Sequence, residues 1–260
     1  MILKLIACKS LTRELSYLSS LSENNIDITW IRRGYHDAPD VLRRTLQAEI
    51  DAVESGKDSH TNELGGNGDS ISPYIPEDFD AILLGYGLCS NGVVGLHSKK
   101  HPLVLPRGHD CITFLLGSKE RYREYFESLP GCFWYTVSWI ENGHPPCEAS
   151  YNRQRDFYIE KGFDEEEADR FMEEMNGWTK QYKNAGYITM PFFDKPELQE
   201  FTKQAADFFN WKYTSLEGDL SLMKRFLDGK WDEEDFLVVP PGYTVIASHN
   251  EEILACVKEG

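Results

Sequence analysis

Cys8, Cys89 and Cys111 stand at or just past the ends of three separate strand-like runs. These are Met1-Ile-Leu-Lys-Leu-Ile-Ala-Cys8, Ala81-Ile-Leu-Leu-Gly-Tyr-Gly-Leu-Cys89 and Pro102-Leu-Val-Leu-Pro-Arg-Gly-His-Asp-Cys111. In an open parallel sheet the loops after neighbouring strands converge on one edge, and ligands bind there. Three thiols gathered at that edge can hold a soft metal or an iron–sulfur cluster. All-sulfur ligation favours iron–sulfur, zinc or copper(I) over magnesium or calcium. Three protein ligands also leave a coordination position open, which suits chemistry or ligand exchange better than a purely structural site. The wide spacing is unlike a local zinc ribbon with paired C-x-x-C motifs. Cys132, Cys147 and Cys256 lie away from strand ends and read as packing thiols.

The flanking residues extend the pattern. Gly85, Gly87 and Gly92 surround Cys89 and would let backbone approach a bulky bound group. A helix starting near Cys89 would favour its thiolate. The run is a poor dinucleotide fingerprint, because Ser90 stands at the third glycine position. In Pro106-Arg107-Gly108-His109-Asp110-Cys111, His109 is a candidate fourth ligand, acid/base group or partner to a ligand. Arg107 is a candidate counter-charge to an anionic cluster or a substrate carboxylate. The bland alternative for this stretch is a satisfied turn. Glu14, in the helix after Cys8, either reaches back to the same edge or is an ordinary surface carboxylate. A Cys89–His109 nucleophile pair is a further option.

The elements that must position these groups read as α/β. Strand-like runs at Met1–Ala7, Ile26–Ile31, Phe79–Leu84 and Leu103–Leu105 alternate with helical patterns. One helix carries Leu11, Leu15, Leu18 and Leu21; another, over Pro39–Val53, carries Val41, Leu42, Leu46 and Ile50. Lys57–Asp78 is polar and glycine-bearing and reads as a loop or insertion. A helix over Asp164–Tyr182 has Phe171, Met175, Trp178 and Tyr182 as a core stripe. Then come strands at Gly186–Met190, Trp211–Ser215 and Asp235–Val239, with a helix capped by Asp194 and opened by Pro196, and a short one through Leu222, Phe226 and Leu227. Strand–helix–strand–helix–strand thus occurs twice. The expected architecture is two Rossmann-like lobes with mostly parallel sheets, divided as 1–150 and 151–260, with the ligand site at strand C-terminal ends; the repeated order reads either as an internal duplication or as the alternation any α/β protein shows.

A formal net charge of -16 argues against nucleic acid as a partner and disfavours anionic membranes. With no long apolar stretch and no signal-peptide pattern, the expectation is a cytoplasmic protein. Phosphate-loop, G-x-S-x-G and H-E-x-x-H motifs are absent from the sequence.

At Ala7-Cys8 with Glu14, Tyr86-Gly-Leu-Cys89-Ser-Asn-Gly92, Pro106-Arg-Gly-His109-Asp-Cys111-Ile112, Gly117-Ser118 with Tyr122, Trp139 with Glu141, and Asp235-Phe-Leu-Val-Val-Pro-Pro-Gly242, the chain resembles the DUF1638 family of anaerobic bacteria and methanogenic archaea. The resemblance implies a setting more than a reaction: the company of corrinoid-dependent methyltransferases acting on methylamines and betaines. The D-x-H-x-x-G corrinoid motif is absent from the sequence. The expected function is a cysteine-ligated metalloprotein holding an iron–sulfur cluster at Cys8, Cys89 and Cys111, with Arg107, His109 and Glu14 tuning it or handling a proton or substrate. Its partner would be a small-molecule substrate or a corrinoid methyltransferase system. The alternatives are a zinc-thiolate methyl-transfer enzyme and a metal-free accessory protein.

Overall fold

The computed structural model describes residues 1–56, 78–193 and 195–258. Most of the polar stretch expected to form a loop, and the Asp194 cap, lie outside the described residues. The chain runs β1 (Ile2–Cys8), α1 (Thr12–Ser19), β2 (Asn25–Ile31), α2 (Pro39–Glu54), β3 (Ala81–Gly85), β4 (His97–Ser98), β5 (Leu103–Pro106), α3 (Cys111–Leu116) and α4 (Lys119–Ser128). It continues through β6 (Cys132–Tyr135), α5 (Val137–Asn142), α6 (Glu148–Glu160), α7 (Glu165–Met175), β7 (Asn184–Thr189), α8 (Pro196–Phe209) and β8 (Lys212–Glu217). It closes with α9 (Ser221–Leu227), β9 (Phe236–Val239), β10 (Tyr243–Ala247) and β11 (Leu254–Lys258). The fold is mixed α/β. Among the described residues no helix is long and apolar enough to cross a membrane.

Two compact units emerge: Met1–Lys119 with Leu220–Gly260, and Glu120–Asp219. The expected division at residue 150 differs from this, for a clear reason. β9 pairs antiparallel with β5, Leu103 opposite Val239, and the Phe226 ring of α9 lies 5.2 Å from that of Phe114 in α3. The C-terminal segment therefore completes the cysteine-bearing unit.

In that unit the main sheet has the order β2-β1-β3-β5-β9, with only β9 antiparallel. β3 is buried along its length, as an apolar run in the middle of a parallel sheet should be. Leu42, Leu46 and Ile50 of α2 pack in one cluster with Ile6 and Leu84 of the sheet, so the helical spacing read over Pro39–Val53 holds. Leu21 lies past the end of α1 and is exposed. A second sheet, β11-β10-β4, is antiparallel. The chain leaves β1 for β2 on one side and returns as β3 on the other. This reversal of strand order puts a topological switch point between the C-terminal ends of β1 and β3, where open α/β sheets place ligands.

In the other unit β6-β7-β8 form a parallel sheet. The strands anticipated as a second triplet are thus split: β7 and β8 join β6, whereas β9 joins the first sheet. The helix anticipated over Asp164–Tyr182 also breaks. α7 ends at Met175, and Gly177–Gln181 is a 3-10 turn. Within α7 Ala168 and Met172 are buried and Met175 is 53% exposed, and past the break Trp178 is 39% exposed. Of the expected stripe, Tyr182 packs on the core cluster of this unit, whereas Met175 and Trp178 are exposed.

Candidate functional site

Cys8 is the last residue of β1, Cys89 lies four residues past β3, and Cys111 is the first residue of α3. Backbone hydrogen bonds fix the second loop to the third: Leu88 N–H donates to Gly108 O (2.8 Å) and Cys89 N–H to His109 O (2.9 Å). Gly87 makes that junction possible. A Cβ there would lie 2.6 Å from Gly108 O and 2.8 Å from Asp110 N, both backbone atoms. The other two glycines also face the chain itself. A Cβ on Gly85 would meet Ala7 Cβ at 2.8 Å across the β1–β3 pair, and one on Gly92 would meet Leu42 at 2.5 Å. The close approach that Gly85, Gly87 and Gly92 permit is of strand to strand, loop to loop and loop to helix. The space a side chain would fill at each of the three is taken by the chain itself.

No helix starts at Cys89. Cys89, Ser90 and Asn91 have φ of 44°, 56° and 67°, a left-handed turn closed by Gly92 N–H donating to Cys89 O (2.9 Å). Left-handed geometry costs about 1–2 kcal/mol per non-glycine residue. The turn is held by its surroundings: Arg43 of α2 donates from Nη2 to Asn91 O (3.1 Å), and two backbone bonds anchor Leu88 and Cys89. Strain of this kind collects at functional sites, where neighbouring structure over-determines it.

The three thiols lie within electrostatic reach of one another. Burial pushes the Cys89 thiol well up, with Cys111, Asp110 and Cys8 adding to the rise. Burial also raises Cys111, with Asp110 and Cys8 adding, while Ser10 and Arg33 act against it. Each cysteine nevertheless keeps part of its surface accessible. The Cys89 and Cys111 sulfurs therefore sit in densely packed surroundings, in residues that stay partly accessible. In the absence of a cation Cys89 and Cys111 are neutral thiols, the opposite of the thiolate expected from a helix terminus.

Two other groups complete the recess. Arg33, two residues past β2, is half-buried; burial lowers its pKa, and Cys8, Cys111 and Asp37 oppose that shift. It is the cation beside the thiols. Tyr86, the first residue after β3, is 4% exposed, and its hydroxyl has no hydrogen-bond partner among the described residues. Burial holds the phenol well above its ordinary range, with Cys8, Cys89 and Cys111 adding in the same direction. Arg33 was legible by the rule that selects Cys8: it too follows a strand end. Tyr86 was hidden inside a run read for its glycines.

The remaining candidates are placed differently. Arg107 faces the C-terminal segments: its guanidinium donates to the backbone carbonyls of Glu233 (2.9 Å), Glu252 (3.1 Å) and Leu254. Its role is to clamp those segments to the end of β5, and the cation that interacts with Cys8 and Cys111 is Arg33, not Arg107 as expected. Replacing Arg107 by methionine removes these charge-assisted hydrogen bonds and should cost about 1–3 kcal/mol in urea unfolding. The His109 imidazole is exposed, and the residue contributes to the recess through its carbonyl. Glu14 is fully buried in the first turn of α1, so the surface-carboxylate reading does not hold. Asp110 caps α3, accepting from Ile112 N–H at 2.9 Å.

Among the described residues no group of three or more His, Cys, Asp or Glu side chains is already arranged to hold a metal ion. The recess fits such a group in donor type: three sulfurs at a switch point, one neighbouring cation and a buried phenol hydroxyl without a partner. To hold a metal the sulfurs must draw together.

The model of a family described as "Protein of unknown function (DUF1638)" matches residues 30–227, which include Arg33, Tyr86, Cys89 and Cys111. No curated protein and no solved structure matches the chain.

Proposed function

Because the chain belongs to the DUF1638 family, whose description assigns no activity, we propose from the recess itself that this is a metalloprotein whose Cys8, Cys89 and Cys111 hold an iron–sulfur cluster. The observation that supports the reading is that the Cys8, Cys89 and Cys111 thiols, carried past the ends of the neighbouring strands β1, β3 and β5, lie within electrostatic reach of one another, with Arg33 acting on Cys8 and Cys111. Iron–sulfur clusters take thiolate ligands, and three of them leave one iron open. The bound cluster would supply electron transfer or activation of a small molecule at that iron. Cys8, Cys89 and Cys111 would bind it, and Arg33 would offset the negative charge of the thiolates. The setting implied by the family resemblance is corrinoid-dependent methyl metabolism, and the proposal extends to that link.

Anaerobic expression with iron and sulfur supplied tests the reading. It predicts a brown protein containing iron and acid-labile sulfide. Zinc alone would redirect the site to thiolate or Lewis-acid chemistry. A metal-free product would favour a binding or accessory role.

Metal uptake should also release protons. Ligation requires thiolates, and the raised pKa of Cys89 and of Cys111 keeps both protonated at neutral pH. At least these two protons must leave, so affinity for a probe metal such as cobalt(II) should fall about 100-fold per unit drop in pH below neutrality. The sign follows from the direction of the shifts: groups held protonated in the folded chain oppose metal more strongly as pH falls. Cobalt titrations followed by sulfur-to-metal charge-transfer absorbance at several pH values measure this. A flat profile would count against thiolate ligation.

A further inference from the structure

Resting on the thiol-held group just described, we propose that the Tyr86 hydroxyl donates a hydrogen bond to that group, making Tyr86 a residue of the site and not of the core alone. Its ring packs with the apolar cluster beneath the sheet edge, which includes Ile6, Leu42 and Leu84. Its position is set by Gly85, pressed against Ala7 in the β1–β3 pair, and by Gly87, pressed against the 108–110 backbone. The hydroxyl is left buried, without a partner among the described residues, within electrostatic reach of all three cysteines.

A buried tyrosine hydroxyl ordinarily finds a partner, because leaving one unmade carries the full cost of its desolvation. An acceptor for it must be rich in electrons and must sit where the three sulfurs meet. A cluster sulfide, a cysteine sulfur made anionic by ligation, or the ligand on the open iron each meets that description. A neutral thiol is a weak acceptor. A loaded site would supply the hydroxyl with a strong acceptor. Hydrogen bonds to cluster sulfur and to its ligands are one of the levers by which a protein sets a cluster's potential.

The test is Tyr86→Phe in the full chain, reconstituted anaerobically with iron and sulfide alongside the wild type. Three quantities are read: the unfolding temperature of the metal-free protein, the iron and sulfide bound per chain, and the reduction potential of the cluster. The expected result is a metal-free variant that unfolds at the same or a higher temperature, because a stranded hydroxyl has been removed. It should still bind the cluster, now at a lower potential, because the lost donor no longer favours the electron-rich reduced state. Loss of the cluster from an otherwise folded variant would also support the assignment. An unchanged potential at full cluster content would overturn it while leaving the cysteine site standing. Failure of the wild type to bind iron or cobalt(II) at all would overturn both. The potential is the deciding readout, since a hydroxyl that only packs would not move it.

Discussion

Replacing any one of Cys8, Cys89 or Cys111 by serine is expected to yield a folded chain that has lost most of its iron. Serine preserves size and removes the soft donor. Loss of a partner that merely orients a ligand costs about 10–100-fold in metal affinity, and loss of a ligand itself should exceed that. The fold should survive because serine is close to cysteine in size and none of the three thiols bridges elements covalently. At Cys89 the left-handed turn is held by the backbone bonds of Leu88, Cys89 and Gly92 and by Arg43, and serine leaves all of these in place. Iron and sulfide content set beside the unfolding temperature checks both halves of the expectation. Loss of metal together with loss of fold would point to a structural role for the thiols.

Gly87→Ala is expected to damage fold and site together. The added Cβ would stand 2.6 Å from Gly108 O, 2.8 Å from Asp110 N and 3.0 Å from Asp110 Cα. These are backbone atoms held by the two hydrogen bonds between the loops, so no flexible side chain can yield. Overpacking usually costs about 1–3 kcal/mol and more where backbone must move, so about 3 kcal/mol or above is expected here. That is a large part of the roughly 5–15 kcal/mol available to a domain. The same displacement carries Cys89 away from Cys111. Urea unfolding and iron content should therefore fall together. Gly177→Ala supplies the control: a Cβ there meets nothing within 4 Å, and little change is expected.

The sequence makes the site's address more legible than its details. The strand-end rule finds Cys8, Cys89 and Cys111 because apolar runs of parallel strands are continuous and end abruptly at polar residues. Followed to the run ending at Ile31, the same rule reaches Arg33. Charge type alone is a poor guide to direction: Arg107 and His109 flank Cys111 in sequence, yet Arg107 turns toward Glu233 and Leu254, and the His109 ring faces out. What decides is the path of the backbone after β5 and the presence of β9 and β11 beside it. Those contacts join residues more than a hundred positions apart. Glycine is equally ambiguous, since a missing side chain can admit a ligand or another strand, and only the surroundings of Gly85 and Gly87 tell which.

The same limit explains the fold. Local periodicity identifies β7, β8 and β9 as strands, but sheet membership depends on partners. β9 pairs antiparallel with β5, whereas β7 and β8 take β6, whose aromatic run Phe133-Trp-Tyr135 carries strand propensity without alternation. A stripe stepping by four, three and four through Phe171, Met175, Trp178 and Tyr182 predicts one face only if the helix is unbroken. Asn176-Gly177 ends that continuity.

The central claim is that three strand-end thiols share one metal group. Its most direct test is iron and acid-labile sulfide analysis of the anaerobically purified wild type beside the three single cysteine-to-serine variants. The account predicts both elements in the wild type and most of each lost in every variant. Full retention in all three variants would contradict it, as would a wild type that takes up no metal when iron and sulfur are supplied.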